Sequence, residues 1–268
     1  MITSTSNQQM KQAAALLKKA KERKEKKCFV VEGTKMVLEA SEKNLKAVYV
    51  SESYEKNPEN KMRLRTLRTK CEKVSAVFEV VADSVFKSIS DTQTPQGIMA
   101  IVAMPEYQLS DLLKEEKTHL LILESIQDPG NLGTMVRTGE GAGITGVIMN
   151  KTTVDLFNPK TIRSTMGSIY RMPFFVTDDL ASTLGELKQK GVSLYAAHLK
   201  GEHFYTEENY TNACGFLIGN EGNGLSDEIA DIADTYIKIP MEGQVESLNA
   251  AISATLLMYE ANRQRRNL

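Results

Sequence analysis

Three turns of similar composition carry the polar residues from which a site can be built: QDPGNLG at residues 127–133, IGNEGNGLSDE at 218–228 and IPMEGQVESLN at 239–249. Each follows an apolar, strand-like run and leads into a helix-like one. A single segment of this kind says little, because Gly and Asn mark tight turns anywhere. Three of them at strand–helix junctions predict a pocket, since ligands of open α/β sheets gather beyond the carboxyl ends of the strands. A literal GxGxxG also occurs, at residues 141–146 in GAGITG. It follows a helix-like stretch and precedes the strand-like GVIM, the reverse of the dinucleotide fingerprint, so it reads as a helix C-terminus and turn rather than an oxidoreductase site. His119, His198 and His203 lack ligand spacing, and Cys28, Cys71 and Cys214 are scattered and odd in number. Neither a metal site nor a disulfide framework is expected, and each cysteine reads as a small apolar filler.

The elements that must position these turns alternate along the chain. THLLILESI at 118–126 is a continuous apolar run, the pattern of a strand buried on both faces, and GVIM, PFFV, VSLYAA, CGFLIG and YIKIP repeat it with helical segments between. This alternation predicts an α/β fold with a mainly parallel sheet covered by helices. SLNAAISATLLMYEANRQRR closes the chain as a long helix. The first hundred residues alternate too: a basic helix over 7–26, the strand CFVVEG, the helix TKMVLEASEK, the strand KAVYVS, a helix over 59–70, the strand SAVFEVV, the helix ADSVFKSI and the strand GIMAIVAM. Pro105 in MPEYQLSD marks the expected hinge, giving a smaller α/β domain over residues 1–105 and a larger one over 106–268.

Charge separates the two halves. The 268 residues carry a net charge of −1, yet residues 1–105 hold 19 basic and 12 acidic side chains, net +7, and residues 106–268 hold 14 and 22, net −8. Eight Lys or Arg face two Glu over residues 11–27, and six face one over 61–73. Such runs are either solvated helix faces or a polyanion surface, and a basic domain joined to an acidic one favours the second. Hydrophobic residues at 41% and charged residues at 25% are those of a folded globular chain, which excludes disordered and collagen-like classes. No apolar run approaches the roughly 20 residues of a membrane span, and the N-terminus lacks a signal-peptide pattern, so a cytoplasmic protein is expected.

The three turns resemble the three motifs of the SpoU (TrmH-like) branch of the SPOUT RNA methyltransferases. QDPGNLGTMVRTGEGAG is similar to the first, with Asn131 and Arg137; GFLIGNEGNGLS to the second, with Glu221; and IPMEGQVESLNAAISATLLMYEA to the third, with Ser247 and Asn249. RKEKKCFVVEGTKMVLEA and ISDTQTPQGIMAIV resemble the substrate-binding domain that precedes this fold in ribosomal-RNA ribose methylases. One departure is Ala251, where many relatives have a second serine.

The resemblance implies a deep trefoil knot in the C-terminal domain, a homodimer, bound S-adenosylmethionine, no metal, and methyl transfer to a ribose 2′-hydroxyl of RNA. Arg137, Asn131, Glu221, Ser247 and Asn249 are the implied catalytic set. A guanidinium ordinarily stays protonated, so Arg137 is expected to clamp the phosphate beside the target ribose and stabilise the developing alkoxide while phosphate or water takes the proton, with a role as the literal base the open alternative. Asn131 is expected to hold the turn and a substrate or Arg137 contact, and Glu221 to fix either Arg137 or the loop. Leu199, Gly219, Ile239 and Leu248 are the implied cofactor contacts. Lys18, Lys19, Arg23, Lys24, Lys160 and Arg163 are the expected RNA-facing cations. Ribosomal RNA is favoured over transfer RNA because of the separate basic module, and the rival of another class is a non-catalytic RNA-binding or ribosome-assembly protein.

Overall fold

In the computed structural model, which describes residues 1–266, residues Met1–Glu106 cluster with Phe157–Tyr170, and Tyr107–Leu156 with residues 171–266. The first unit is built on a four-stranded sheet: β1 (Cys28–Glu32), β2 (Leu45–Ser51), β3 (Val77–Val81) and β4 (Ile98–Ala103). Its order is β1-β4-β2-β3, with β4 antiparallel to both neighbours and β2 parallel to β3. Helix Gln8–Lys18 buries Met10, Ala13, Leu16 and Leu17 against Val30, Tyr49, Met99 and Ile101 of the sheet. That apolar stripe at helical spacing is what docks it. Segment 157–170 joins this unit through Phe157, whose ring centroid lies 4.8 Å from that of Phe29, and through Tyr170, whose hydroxyl donates to Met36 O at 2.8 Å.

The single helix expected over residues 7–26 is two helices, Gln8–Lys18 and Ala20–Lys26, because Lys19 adopts an extended conformation (φ −122°, ψ 114°). The break leaves carbonyls of the first helix without intrahelical partners. Arg23, only 3% exposed, turns back to satisfy them, donating from Nη1 to Leu16 O at 2.6 Å and Leu17 O at 3.2 Å. Arg23 is therefore a buried structural cation, and the expectation that it faces RNA is corrected. Lys18, Lys19 and Lys24 are exposed.

The second unit carries a seven-stranded, wholly parallel sheet: β5 (His119–Leu123), β6 (Gly146–Asn150), β7 (Phe174–Thr177), β8 (Ser193–Ala197), β9 (His203–Phe204), β10 (Cys214–Ile218) and β11 (Thr235–Lys238). The order is β7-β6-β5-β10-β8-β11-β9. Every residue of β5 and β10 is buried, as their unbroken apolar runs require. Leu180, Leu184 and Leu187 of helix Leu180–Gln189, with Leu112, share a core cluster with Leu194 and Leu217 of the sheet. Gly143 (φ +75°) caps helix Pro129–Ala142 and Gly146 opens β6, so GAGITG is a helix end and turn. Helix Ala250–Arg266 runs alongside Pro129–Ala142: Thr255 Oγ1 meets Thr138 Oγ1 at 3.2 Å, and Asn262 Nδ2 donates to Ala142 O at 2.9 Å. Among the described residues no helix is long and apolar enough to cross a membrane, and no group of three or more His, Cys, Asp or Glu has metal-ligating geometry.

Candidate active site

Asp128 and Pro129 start the helix that carries the first-motif residues. Asp128 is the N-cap, its carboxylate accepting from Asn131 N at 2.8 Å, and Pro129 occupies the first turn, where its missing N–H costs nothing. The Asp-Pro pair was a legible start signal that sequence reasoning passed over. Beyond this cap lies the Glu221 carboxylate of the second motif. It accepts from Gln127 N at 3.0 Å, from Asp128 N at 3.0 Å and from Asn131 Nδ2 at 3.0 Å. An anion at a helix N-terminus is also favoured by the helix dipole. Burial pushes the Glu221 carboxyl up, but the bonds from Asn131, Gln127 and Asp128 outweigh it and hold the group below the ordinary carboxylate range.

The third motif joins the same chain of contacts. Asn249 Nδ2 donates to Asn131 Oδ1 at 3.0 Å, while Asn249 Oδ1 accepts from Ala251 N at 2.9 Å and Ile252 N at 3.3 Å, capping the last helix. Ala251 thus contributes its backbone amide here, and it is buried. Of the alternatives open for Glu221, the geometry selects the loop. Asn131 likewise bonds Glu221 and Asn249, not Arg137. Six residues on a helix turn the side chain about 240°, so Asn131 and Arg137 point different ways. Arg137 is exposed, and no hydrogen bond or ion pair among the described residues engages its guanidinium.

A second network holds the entrance to this helix. Ser125 sits in the left-handed region (φ +57°), sparsely populated by non-glycine residues. Asn150 Oδ1 accepts from Ser125 N at 2.9 Å, Thr152 Oγ1 lies 2.6 Å from Ser125 Oγ, and Asn220 Nδ2 and Gln127 Nε2 each donate to Ser125 O at 2.9 Å. Glu124 binds both Ser226 N (2.8 Å) and Ser226 Oγ (2.7 Å), tying the second motif to the end of β5. Nothing in the spacing of Glu124, Ser125 or Asn150 announced this.

Beyond the carboxyl ends of β8, β10 and β11 opens a cleft of about 670 Å³. All four expected cofactor contacts, Leu199, Gly219, Ile239 and Leu248, line it, together with Glu221 and Ser247. Gly219 has no room for a side chain, since a Cβ there would stand 2.1 Å from Gly224 C and Leu225 N. Of the expected RNA-facing residues in segment 157–170, Arg163 pairs with Asp91 at 2.6 Å, and Lys160 is exposed on the first turn of helix Pro159–Thr165.

Residues 118–259 match the SpoU rRNA Methylase family, and residues 7–100 match the MRM3-like substrate binding domain. The chain belongs to the SpoU rRNA Methylase family. Its relatives include a protein of Bacillus subtilis (strain 168) named 23S rRNA (guanosine(2553)-2′-O)-methyltransferase RlmP, 37% identical over 180 residues, which span 67% of this chain and 70% of that one. The fold resembles an AdoMet-bound rRNA methyltransferase from Sinorhizobium meliloti, with TM-score 0.88, 29% identity, and coverage of 98% and 97%. It also resembles the SpoU methyltransferase AviRb from Streptomyces viridochromogenes in complex with AdoMet, with TM-score 0.86, 25% identity, and coverage of 97% and 98%.

Proposed function

We propose that this chain transfers a methyl group from S-adenosylmethionine to a ribose 2′-hydroxyl of RNA, with ribosomal RNA as the substrate. The observation that carries the reading is the bonded chain Glu221–Asn131–Asn249, which ties two loops remote in sequence to the N-terminus of the helix bearing Arg137, beside a cleft of the right character. The cleft suits the cofactor. Leu199, Ile239 and Leu248 offer apolar surface, the bare backbone at Gly219 admits close approach, and Glu242 and Glu246 supply negative charge for a cationic ligand. When bound, S-adenosylmethionine supplies a methyl already activated on its sulfonium.

What the protein adds is orientation, charge and exclusion of water. Arg137, exposed and unpaired among the described residues, takes a backbone phosphate in a bidentate grip and stabilises negative charge growing on the attacking 2′-oxygen. Glu221, Asn131 and Asn249 hold its helix and the turn before it. Ser247 is exposed on the cleft wall, within the loop that faces the ligand. Lys18, Lys19 and Lys24 supply phosphate-facing charge in a substrate-binding domain spanning residues 1–105, ahead of a methyltransferase domain over 106–268 that holds the trefoil knot. A homodimer belongs to the same reading. Ile252 and Tyr259, seven residues apart and so on one side of the last helix, are exposed apolar groups suited to a second copy.

The test is incubation of the full chain with methyl-labelled S-adenosylmethionine and unmodified ribosomal RNA, followed by mass-spectrometric mapping. A single ribose-methylated nucleotide is expected, and sedimentation should return twice the chain mass. Label on a base nitrogen overturns the ribose assignment; RNA and cofactor binding without transfer favours the non-catalytic reading.

A further inference from the structure

Between the short helix Glu52–Lys56 and helix Lys61–Lys73 of the first unit lies a groove of about 630 Å³, remote in the fold from the cofactor cleft. Lys56, Lys61, Arg65 and Arg68 line it against the carboxylates of Glu55 and Glu72. Two of the cations are engaged: Lys56 pairs with Glu52 at 2.6 Å, and Arg68 pairs with Glu55 at 2.6 Å while its guanidinium lies 4.2 Å from the Phe78 ring centroid. Lys61 and Arg65 are exposed, and no hydrogen bond or ion pair among the described residues engages either side chain. Thr69, whose hydroxyl is equally without a partner among the described residues, continues the row. Steps of four residues keep these three on one side of the helix over about 12 Å.

The row works against the helix that carries it. The positive end of the helix dipole favours acidic residues in the first turn, yet that turn has none and holds Lys61 and Arg63. Lys61 and Arg65 are like charges four residues apart, which repel, whereas helices Ala20–Lys26, Thr34–Glu39 and Glu52–Lys56 each carry a Lys–Glu pair at that spacing. Helix stability does not account for such a row; an anionic partner does.

We infer that this groove is a second RNA-contact face, taking the phosphate backbone of a segment other than the one met by Lys18, Lys19 and Lys24. The inference rests on the RNA methyltransferase reading and deepens it. The two faces are opposite. Ala47 and Tyr49 of β2 share a cluster with Met10 and Leu16 of helix Gln8–Lys18, so Val48 and Val50 face the other way. Helix Lys61–Lys73 packs on β2 and β3, and its buried Leu64, Leu67 and Cys71 stand outside that cluster. One straight duplex cannot reach both faces, so the substrate is a folded RNA that reaches round the domain. Composition decides between RNA and an acidic protein. The cores of protein interfaces are depleted of charge and rich in aromatic residues, whereas nucleic-acid interfaces are polar and strongly positive. The groove offers cations on long stems and a hydroxyl, and among the described residues its lining holds no aromatic side chain. Contacts of this kind position a nucleic acid through its phosphates and read no bases.

The experiment compares wild type, the double variant Lys61→Gln, Arg65→Gln and a control, Lys43→Gln, Lys46→Gln, whose exposed lysines lie outside the groove. Binding of a fluorescein-labelled transcript of folded ribosomal RNA to the full chain is titrated across salt. Removal of two phosphate contacts should lower the salt slope by about 1.4 to 1.8, so that a rise from about 50 to 200 mM salt costs about 7- to 12-fold less affinity than in wild type. The control should hold its slope, and S-adenosylmethionine binding, read by calorimetry, should hold in both. Combined with Lys18→Gln, Lys19→Gln and Lys24→Gln, the two losses should add, because separate faces share no phosphates. A slope unaltered in the groove variant overturns the inference, as does an equal loss in the control. Weakened binding of a polyglutamate peptide with RNA binding unchanged assigns the groove to an acidic protein, and a sedimenting mass below that of wild type assigns it to a second copy; either overturns the inference. Because RNA binding is read directly, a wild-type chain that fails to methylate ribose removes the parent reading without deciding this one.

Discussion

Asn249 and Asn131, 118 residues apart, are joined by a 3.0 Å hydrogen bond, and the same Asn131 side chain donates onward to Glu221. Two amides and a carboxylate therefore link the third, first and second motifs in series. Each asparagine uses both ends of its amide: Asn131 donates to Glu221 and accepts from Asn249, while Asn249 donates to Asn131 and accepts from the amides that begin the last helix. The chain of contacts has a fixed direction, which an Asp at either position would reverse or break.

Glu221→Gln should test the anionic end of that chain. The folded pKa lies below the ordinary 4.5, so the carboxylate contributes stability that is complete above 4.5 and is lost as pH falls through the lower folded value. Melting temperatures of wild type should therefore fall more steeply below pH 4.5 than those of Glu221→Gln. Methyl transfer should drop by at least 10-fold in the variant at neutral pH. Parallel melting profiles would detach Glu221 from the acid response.

Replacing Arg137 with Ala should abolish methyl transfer while S-adenosylmethionine affinity, read by calorimetry, stays within a few-fold. Lys should rescue in part only, since it lacks the two-pronged donor set of a guanidinium. The unpaired guanidinium predicts little change in stability, within about 0.5 kcal/mol. Full activity in Arg137→Ala removes it from the reaction.

Arg23 and its lysine neighbours should part company. Arg23→Ala strands the carbonyls of Leu16 and Leu17 and should cost about 2 kcal/mol in urea unfolding, with the salt slope of RNA binding unaltered. A triple Lys18→Gln, Lys19→Gln, Lys24→Gln variant should keep its stability and lose about 2 from that slope. An unaltered slope in the triple variant would mean that these lysines are solvent-facing only.

His119 should make the fold acid-sensitive in a different window from Glu221. It is 1% exposed, its Nε2 has no hydrogen-bond partner among the described residues, and burial, aided by the Arg265 charge, lowers its pKa from 6.5 to about 3. The unfolded chain takes up a proton below pH 6.5 that the folded chain refuses until about 3, so stability falls steadily as pH drops across that interval. In His119→Leu, stability measured by urea unfolding should be flatter between pH 6.5 and 4.5. A slope identical to wild type would assign the effect to another group.

The sheet strands other than β9, and the strand–helix alternation, were legible in the chain itself, because runs such as HLLIL and CGFLI are apolar throughout and must be covered on both faces. So were the three polar turns, through their Gly, Asn and acidic residues at the ends of those strands. Tertiary structure alone decided which partners these side chains took. A carboxylate such as Glu221 has several donors within its chemical reach, and the choice of loop amides over Arg137 follows from how β5 and β10 lie side by side, a pairing between segments some 95 residues apart. The same limit explains Arg23, which lies in a run with the exposed cations Lys18, Lys19 and Lys24. Only the break at Lys19 leaves the bare carbonyls of Leu16 and Leu17 that Arg23 satisfies. The pairing of β9 with β11 is likewise a matter of register between a two-residue strand and its neighbour, which local periodicity is too short to encode.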